Sequence, residues 1–128
     1  MTIVLDADVV IGALDRAASH HRASRDLFAA WHRDGTRRLL GLLNLTEVLT
    51  APARSAQSLR TAREAIAALG VTVHAPNEAI AVDAARLRSA HPISLPDAYA
   101  LATARHVGCG VMTFDRKLVV AAGHEAIG

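Results

Sequence analysis

The sequence predicts an α/β fold in which helices cover both faces of a mostly parallel sheet. Short apolar runs typical of strands alternate with longer segments that have helical periodicity. A chain of 128 residues with 52% hydrophobic composition is also large enough to bury a substantial core. Because no repeat, low-complexity tract or linker interrupts the pattern, residues 1–128 are predicted to form a single domain.

The first part of the chain is predicted to contain two strands and four helices. Continuous apolar runs predict strands at residues 3–6 and 39–43. Apolar side chains at helical spacing predict helices at 8–14, 19–34 and 44–50, and a fourth that follows a break near Pro52 and continues to Leu69. Gly35 and Gly70 stand where glycine commonly ends a helix.

The second part continues the alternation. Strands are predicted at residues 71–74 and 110–114, with a further short strand at 125–127. Helices are predicted at 77–89, 94–106 and 116–122.

Composition excludes several classes of protein. Cys109 is the only cysteine, so an internal disulfide and a thiolate zinc site are both excluded. The small aromatic content, 3%, argues against folds that read single strands on an aromatic sheet face. Asp6 and Asp8 stand where a signal peptide would be apolar, and no apolar run is long enough for a membrane span, so a cytoplasmic protein is predicted.

Four carboxylates are predicted to meet at one edge of the sheet. Asp6, Glu47 and Asp115 follow or close apolar runs, and Asp97 opens a helix. The carboxyl ends of parallel strands share one edge, which is where open α/β sheets place their sites. Clustered carboxylates repel one another unless a cation lies among them.

Each acid also has a simpler interpretation as a helix cap. The pairs Asn44/Glu47 and Ser94/Asp97 have the spacing of a capping box, and Asp8 and Asp115 are suitable N-caps. Asp6 is harder to explain in this way if Asp8 is the cap, because it directly follows a buried strand. The joint pattern, rather than any single acid, therefore favours a site.

A carboxylate-rich site of this kind suits Mg²⁺ or Mn²⁺, which activate a bound water for attack on a phosphodiester. Asp6, Asp97 and Asp115 are predicted ligands, directly or through water. Glu47 is either a ligand or the base that holds the attacking water. Thr113 is either a hydrogen-bonding partner of a metal-bound water or of an Asp115 oxygen, or simply a β-branched strand residue.

Four motifs resemble those of the PIN-domain nucleases, and more narrowly the VapC-type toxins of bacterial toxin–antitoxin pairs. They are residues 4–11 (VLDADVVI), 45–49 (LTEVL), 93–98 (ISLPDA) and 113–115 (TFD). The resemblance implies a PIN-like three-layer sandwich with a central five-stranded sheet. It also implies a metal-dependent endoribonuclease that cleaves tRNA or rRNA and so arrests translation and growth. Asp8 departs from the family pattern, which commonly has Ser, Thr or Asn at this position.

The same resemblance implies partners. An antitoxin segment is expected to occupy the acidic pocket, and homodimers and toxin–antitoxin hetero-oligomers are expected. Arg116 and Lys117, directly after Asp115, either contact a substrate phosphate or form a solvated helix face. The histidines have no ligand spacing and are predicted to be solvated or to cap helices.

Two alternatives remain open at this stage. One is an inactive PIN-like interaction module whose acids only cap helices. The other is a haloacid-dehalogenase-type phosphatase with Asp6 as nucleophile and Asp8 as general acid. The phosphatase pattern also requires an acidic pair after its lysine, whereas only Glu125 follows Lys117 in this chain.

Overall fold

The computed structural model describes residues 1–128 and contains one parallel sheet. Its strands are β1 (Thr2–Leu5), β2 (Arg37–Gly41), β3 (Val71–His74) and β4 (Gly110–Met112). They lie in the order β3-β2-β1-β4, and each neighbouring pair is parallel. The chain moves outward from β1 to β3 and then crosses to the other side of β1. The strand order therefore reverses beside β1, where sheets of this kind place their sites.

Seven α-helices surround the sheet, and none is both long and apolar enough to cross a membrane. They are α1 (Ala7–Leu14), α2 (His21–Asp34), α3 (Leu42–Thr50), α4 (Ala56–Ala68), α5 (Glu78–Ala90), α6 (Leu95–Val107) and α7 (Arg116–His124). A short 3₁₀ turn at Pro52–Arg54 separates α3 from α4, as the predicted break requires. Side chains of Ser55, Asn77 and Ser94 cap α4, α5 and α6 by accepting hydrogen bonds from backbone amides.

The core is divided by the sheet because successive strand residues point to opposite faces. Leu5 and Leu40 face a cluster that includes Phe28 and Trp31 of α2. Val4 and Leu39 instead face Ala100 and Ala104 of α6, next to the apolar side chains of α5, α6 and α7. The predicted helix–sheet–helix layering is confirmed.

The predicted fifth strand is wrong, and the sheet has four strands rather than five. Residues 125–127 form a tight turn after α7, in which the Ile127 amide donates to the Ala122 carbonyl at 2.9 Å. Ala126 has a φ of 54°, a left-handed conformation that no strand contains. The other predicted strands are present, although β2 ends at Gly41 and α3 already includes Leu42.

Candidate active site

Five acids lie together at the edge of the sheet where β1 and β4 end. Asp6 and Asp115 occupy the N-caps of α1 and α7, Asp8 and Asp97 lie in the first turns of α1 and α6, and Glu47 lies in α3. Their mutual repulsion connects them: Asp97 raises the pKa of both Asp6 and Glu47 in addition to the effect of burial. The structure thus brings the predicted acids of four separate chain segments into one group, called here the acid cluster.

Asp6 is the most buried member, with 5% of its surface exposed. Its Oδ1 accepts the Ala7 amide at 2.7 Å, and its Oδ2 accepts the Thr113 hydroxyl at 2.7 Å. Burial raises the pKa of the Asp6 carboxyl to about 7, the Thr113 bond opposes this effect, and the charges of Asp8 and Asp97 add to it. Ionisation of Asp6 near neutral pH therefore carries a substantial free-energy penalty.

Asp8 does not cap α1, and the prediction that it does so is wrong. Asp6 occupies that position, and the Asp8 side chain spans to the segment after β4, where its Oδ2 accepts the Phe114 amide at 3.0 Å. Its Oδ1 is buried without a hydrogen-bond partner. Burial raises the pKa of Asp8, and the amides of Phe114 and Val9 oppose this effect.

Glu47 accepts a hydrogen bond from Asn44, whose side chain is fully buried. The Asn44 amide group lies 3.4 Å from Glu47 Oε1 and 3.4 Å from the Pro96 carbonyl oxygen. The predicted Asn44/Glu47 capping box is wrong because α3 begins two residues earlier, with Gly41 at its N-cap. Asn44 instead links Glu47 to the start of α6, the helix that carries Asp97.

The capping interpretation is confirmed for Ser94 and Asp115. Ser94 Oγ accepts the Asp97 amide at 3.3 Å, and Asp115 Oδ1 accepts the Lys117 amide at 2.9 Å. The Asp115 amide also donates to Thr113 Oγ1 at 3.0 Å. Thr113 therefore contacts an oxygen of Asp6 and the backbone of Asp115, not the Asp115 carboxylate considered in the sequence analysis.

No lysine, arginine or histidine forms an ion pair with the acid cluster. The ion pairs of the structure involve other acids, namely Asp34, Asp83 and Glu125. No three His, Cys, Asp or Glu side chains converge closely enough to surround a metal ion by themselves. This arrangement excludes a closed protein cage but fits Mg²⁺ or Mn²⁺ held partly through water, since Mg²⁺ commonly uses only one or two carboxylates.

An unsatisfied oxygen supports the same fit. Asp8 Oδ1 is buried and has no hydrogen-bond partner. A buried oxygen without a partner carries a desolvation cost that a metal ion or an ordered water removes. All of the available donors are oxygens, which is the donor set that hard divalent cations prefer.

Sequence reasoning missed one side chain at this edge, His20. Its ring stacks on Phe114 with a centroid separation of 4.2 Å and an interplanar angle of 18°. Arg116 and Lys117 are exposed and line a cleft with His91 and Val120, and no residue of that cleft belongs to the acid cluster. His91 is neither solvated nor a side-chain cap, because its Nε2 lies 2.7 Å from Glu125 Oε2.

Comparison with known proteins supports the fold described above. The PIN domain model matches residues 3–123. Among curated proteins, none matches the sequence. Solved structures do match. VapC20 from Mycobacterium tuberculosis, described as a sarcin–ricin loop cleaving toxin, has a TM-score of 0.77 and 18% identity over 93% of this chain and 94% of that one.

Two further similar structures are toxin–antitoxin proteins. A toxin–antitoxin complex from Klebsiella pneumoniae has a TM-score of 0.70 and 24% identity, and the match covers 88% of this chain and 86% of that one. VapBC-1 from nontypeable Haemophilus influenzae has a TM-score of 0.72 and 17% identity, over 97% of this chain and 94% of that one. At these identities the structural matches establish the shared fold.

Proposed function

Because the chain belongs to the PIN domain family, we propose that it is a Mg²⁺- or Mn²⁺-dependent endoribonuclease. The observation that carries this proposal is the acid cluster, whose five carboxylates repel one another and form no ion pair with a lysine, arginine or histidine. Asp6 shows the free-energy cost of keeping a charge in this cluster, because burial and the neighbouring carboxylates raise its pKa to about 7. A fold maintains such a cost where the charge is needed to bind a cation.

In this proposal, Asp6, Asp97 and Asp115 would hold the metal, directly or through water. When bound, the ion would supply an activated water and would offset the charge on the leaving oxygen. Thr113 orients Asp6 by donating to its Oδ2 at 2.7 Å, which leaves the second lone pair of that oxygen available. The chain thus provides a fixed carboxylate rather than a mobile one.

Glu47 is suited to receive the proton of the attacking water. Partial burial raises its pKa, the charge of Asp97 adds to this effect, and Asn44 opposes it. A carboxylate with a raised pKa is a stronger base than one in open solvent. Asn44 holds Glu47 toward Asp97 without adding charge, so it acts as a positioning residue.

We further propose that the protein is the toxin of a type II toxin–antitoxin pair and that it cleaves structured RNA, such as tRNA or rRNA, to arrest translation. The similar structures include a toxin and two toxin–antitoxin assemblies. The lining of a groove between α1, α3 and α4 includes Ile11, Leu14, Val48 and Glu47. An antitoxin segment with apolar side chains and one basic side chain would fit this groove and pair with the acids. Homodimers and hetero-oligomers with the antitoxin belong to the same proposal.

The decisive experiment compares Asp97→Asn with the wild type. Calorimetry measures binding of Mg²⁺ and Mn²⁺, and single-turnover cleavage of end-labelled RNA measures activity. We expect Asp97→Asn to weaken metal binding and to abolish cleavage, because it removes a charge while keeping the shape of a side chain whose oxygen can still accept hydrogen bonds from Ser94. Glu64→Gln, on the exposed surface of α4, is the matched control and is expected to change neither.

Equal metal affinity and equal cleavage in Asp97→Asn and wild type would refute the catalytic assignment. That result would favour the inactive module, whose acids only cap helices. Robust hydrolysis of a phosphate monoester together with no RNA cleavage would instead favour a phosphatase.

A further inference from the structure

The His20–Phe114 pair has no role in the chemistry described above, yet it adjoins the acid cluster. Phe114 lies between Thr113 and Asp115, and its amide binds Asp8 Oδ2 at 3.0 Å. Its ring is partly buried against the apolar core on the α1–α2 side of the sheet. The ring that supports His20 is therefore fixed at both its backbone and its side chain.

The His20 side chain is exposed. It occupies the N-cap of α2 but makes no side-chain capping bond, and its ring nitrogens form no hydrogen bond with the protein. Stacking on Phe114 is the contact that orients the ring. Its opposite face is therefore available to a flat ligand.

The position of His20 identifies the kind of ligand. Phe114, on which His20 stacks, directly precedes Asp115, and its amide donates to Asp8 Oδ2 at 3.0 Å. A chain of phosphates crossing the acid cluster therefore passes beside the imidazole ring. Nucleobases are the flat groups that such a chain carries, and they stack on His, Phe, Tyr and Trp in proteins that bind single-stranded RNA.

We propose that the outer face of the His20 ring, backed by Phe114, binds a nucleobase next to the scissile phosphate. This inference rests on the proposed ribonuclease function and specifies its substrate. A base in a continuous duplex is stacked on its neighbours and cannot reach a protein ring, whereas a base in a loop or bulge can. The base that occupies this site is therefore one that is not stacked within a duplex.

The test measures binding to a mixed-sequence single-stranded oligoribonucleotide and to an abasic ribose-phosphate chain of equal length. All proteins carry Asp97→Asn to prevent cleavage, and fluorescence anisotropy gives Kd. We expect His20→Ala to raise the Kd for the oligoribonucleotide roughly 5- to 150-fold and to leave the Kd for the abasic chain unchanged. His20→Phe is expected to keep the parental Kd because it retains a flat ring.

Controls separate stacking from charge and from folding. His32→Ala, on the exposed surface of α2, removes a histidine far along the same helix and is expected to change neither Kd. Thermal unfolding followed by circular dichroism reports whether each variant folds. Equal losses on both chains would mean that His20 contacts phosphate, and this would overturn the nucleobase proposal. An unchanged Kd in His20→Ala would also overturn it.

A failure of the proposed ribonuclease function would give a different experimental result from a failure of the nucleobase site alone. Wild-type protein that neither binds nor cleaves RNA would refute the ribonuclease and the nucleobase site together. Wild-type protein that cleaves RNA, with His20→Ala showing the same KM and kcat, would refute the nucleobase site alone.

Discussion

Replacing Asp6 by Asn is expected to stabilise the protein in the absence of divalent metal ions. The Asp6 carboxyl is 5% exposed and its pKa is about 7, compared with 3.8 in an unfolded chain. The folded state therefore binds a proton more tightly than the unfolded state does. The resulting penalty on folding is absent below pH 3.8, grows as the pH rises and is complete above about pH 7.

The size of the effect follows from this difference. Integrated over pH, the penalty is about 2 kcal/mol at pH 5 and about 4 kcal/mol at pH 8. Asn is as good an N-cap as Asp, so the bond to the Ala7 amide is retained. The loss of the charged partner of Thr113 is already contained in this difference, because the Thr113 bond lowers the pKa of Asp6 from the value that burial alone would give. The net gain in the free energy of unfolding is therefore about 4 kcal/mol at pH 8 and about 2 kcal/mol at pH 5.

The assay is urea denaturation at the two pH values with EDTA present, followed by a repeat in saturating Mg²⁺. Mg²⁺ binding stabilises the wild type by mass action, and it stabilises Asp6→Asn less. The difference in the free energy of unfolding between the two proteins should therefore narrow when Mg²⁺ is present. Asp26→Asn, on the exposed surface of α2, is the control and should show no gain. A gain that is equal at both pH values, or the lack of any gain, would show that Asp6 is an ordinary helix cap.

Three further outcomes are expected. Asp6→Asn should eliminate RNA cleavage, whereas Asp8→Asn should retain much of it at a shifted Mg²⁺ optimum, because one repulsive charge is removed. Single-turnover cleavage across a magnesium titration measures the activity of both variants. Equal loss of activity in the two variants, together with hydrolysis of a phosphate monoester by the wild type, would indicate a phosphatase. Gly12→Ala should lower the free energy of unfolding by about 1–3 kcal/mol, because a Cβ at Gly12 would overlap Ser24 Oγ and approach the His20 carbonyl at 3.3 Å. Ser24→Ala in the same chain should recover part of that loss in chemical denaturation, and full additivity of the two changes would contradict the overlap. Expression of the wild type in a bacterial host should arrest growth, and co-expression of a small protein encoded beside the gene should relieve the arrest. Normal growth of a host that expresses the active wild type would contradict the toxin proposal.

The sequence predicted the strands well where apolar runs were bounded by polar residues or glycine. Val71–His74 has the predicted bounds. The end of β2 was placed two residues too late because Leu42 and Leu43 continue the apolar run, and periodicity cannot separate a strand end from a buried helix start there. The segment at 125–127 was too short for its pattern to reveal the turn that follows α7.

The candidate site was predictable in outline but not in its contacts. The acids could be placed at one sheet edge because parallel strands share that edge. The bond between Thr113 and Asp6 joins residues 107 positions apart, and the His20–Phe114 stack also joins distant segments. Such contacts depend on the final packing, which local patterns do not contain. The sequence favoured Asp8 over Asp6 as the N-cap of α1, whereas Asp6 occupies that position and Asp8 forms a long-range bond with Phe114.

β4 lies at an edge of the sheet and is only three residues long, yet the residues after it contact both Asp6 and Asp8. Short edge strands are among the first parts of a fold to open transiently. One local opening of β4 would release the Thr113 bond, the Phe114 bond and the Asp115 cap in a single cooperative step. The fraction of time for which the acid cluster is assembled is then set by the opening equilibrium of this strand. Hydrogen exchange at the β4 amides would measure that equilibrium directly, and a ligand that adds hydrogen bonds to this edge would raise the active population without touching the acids.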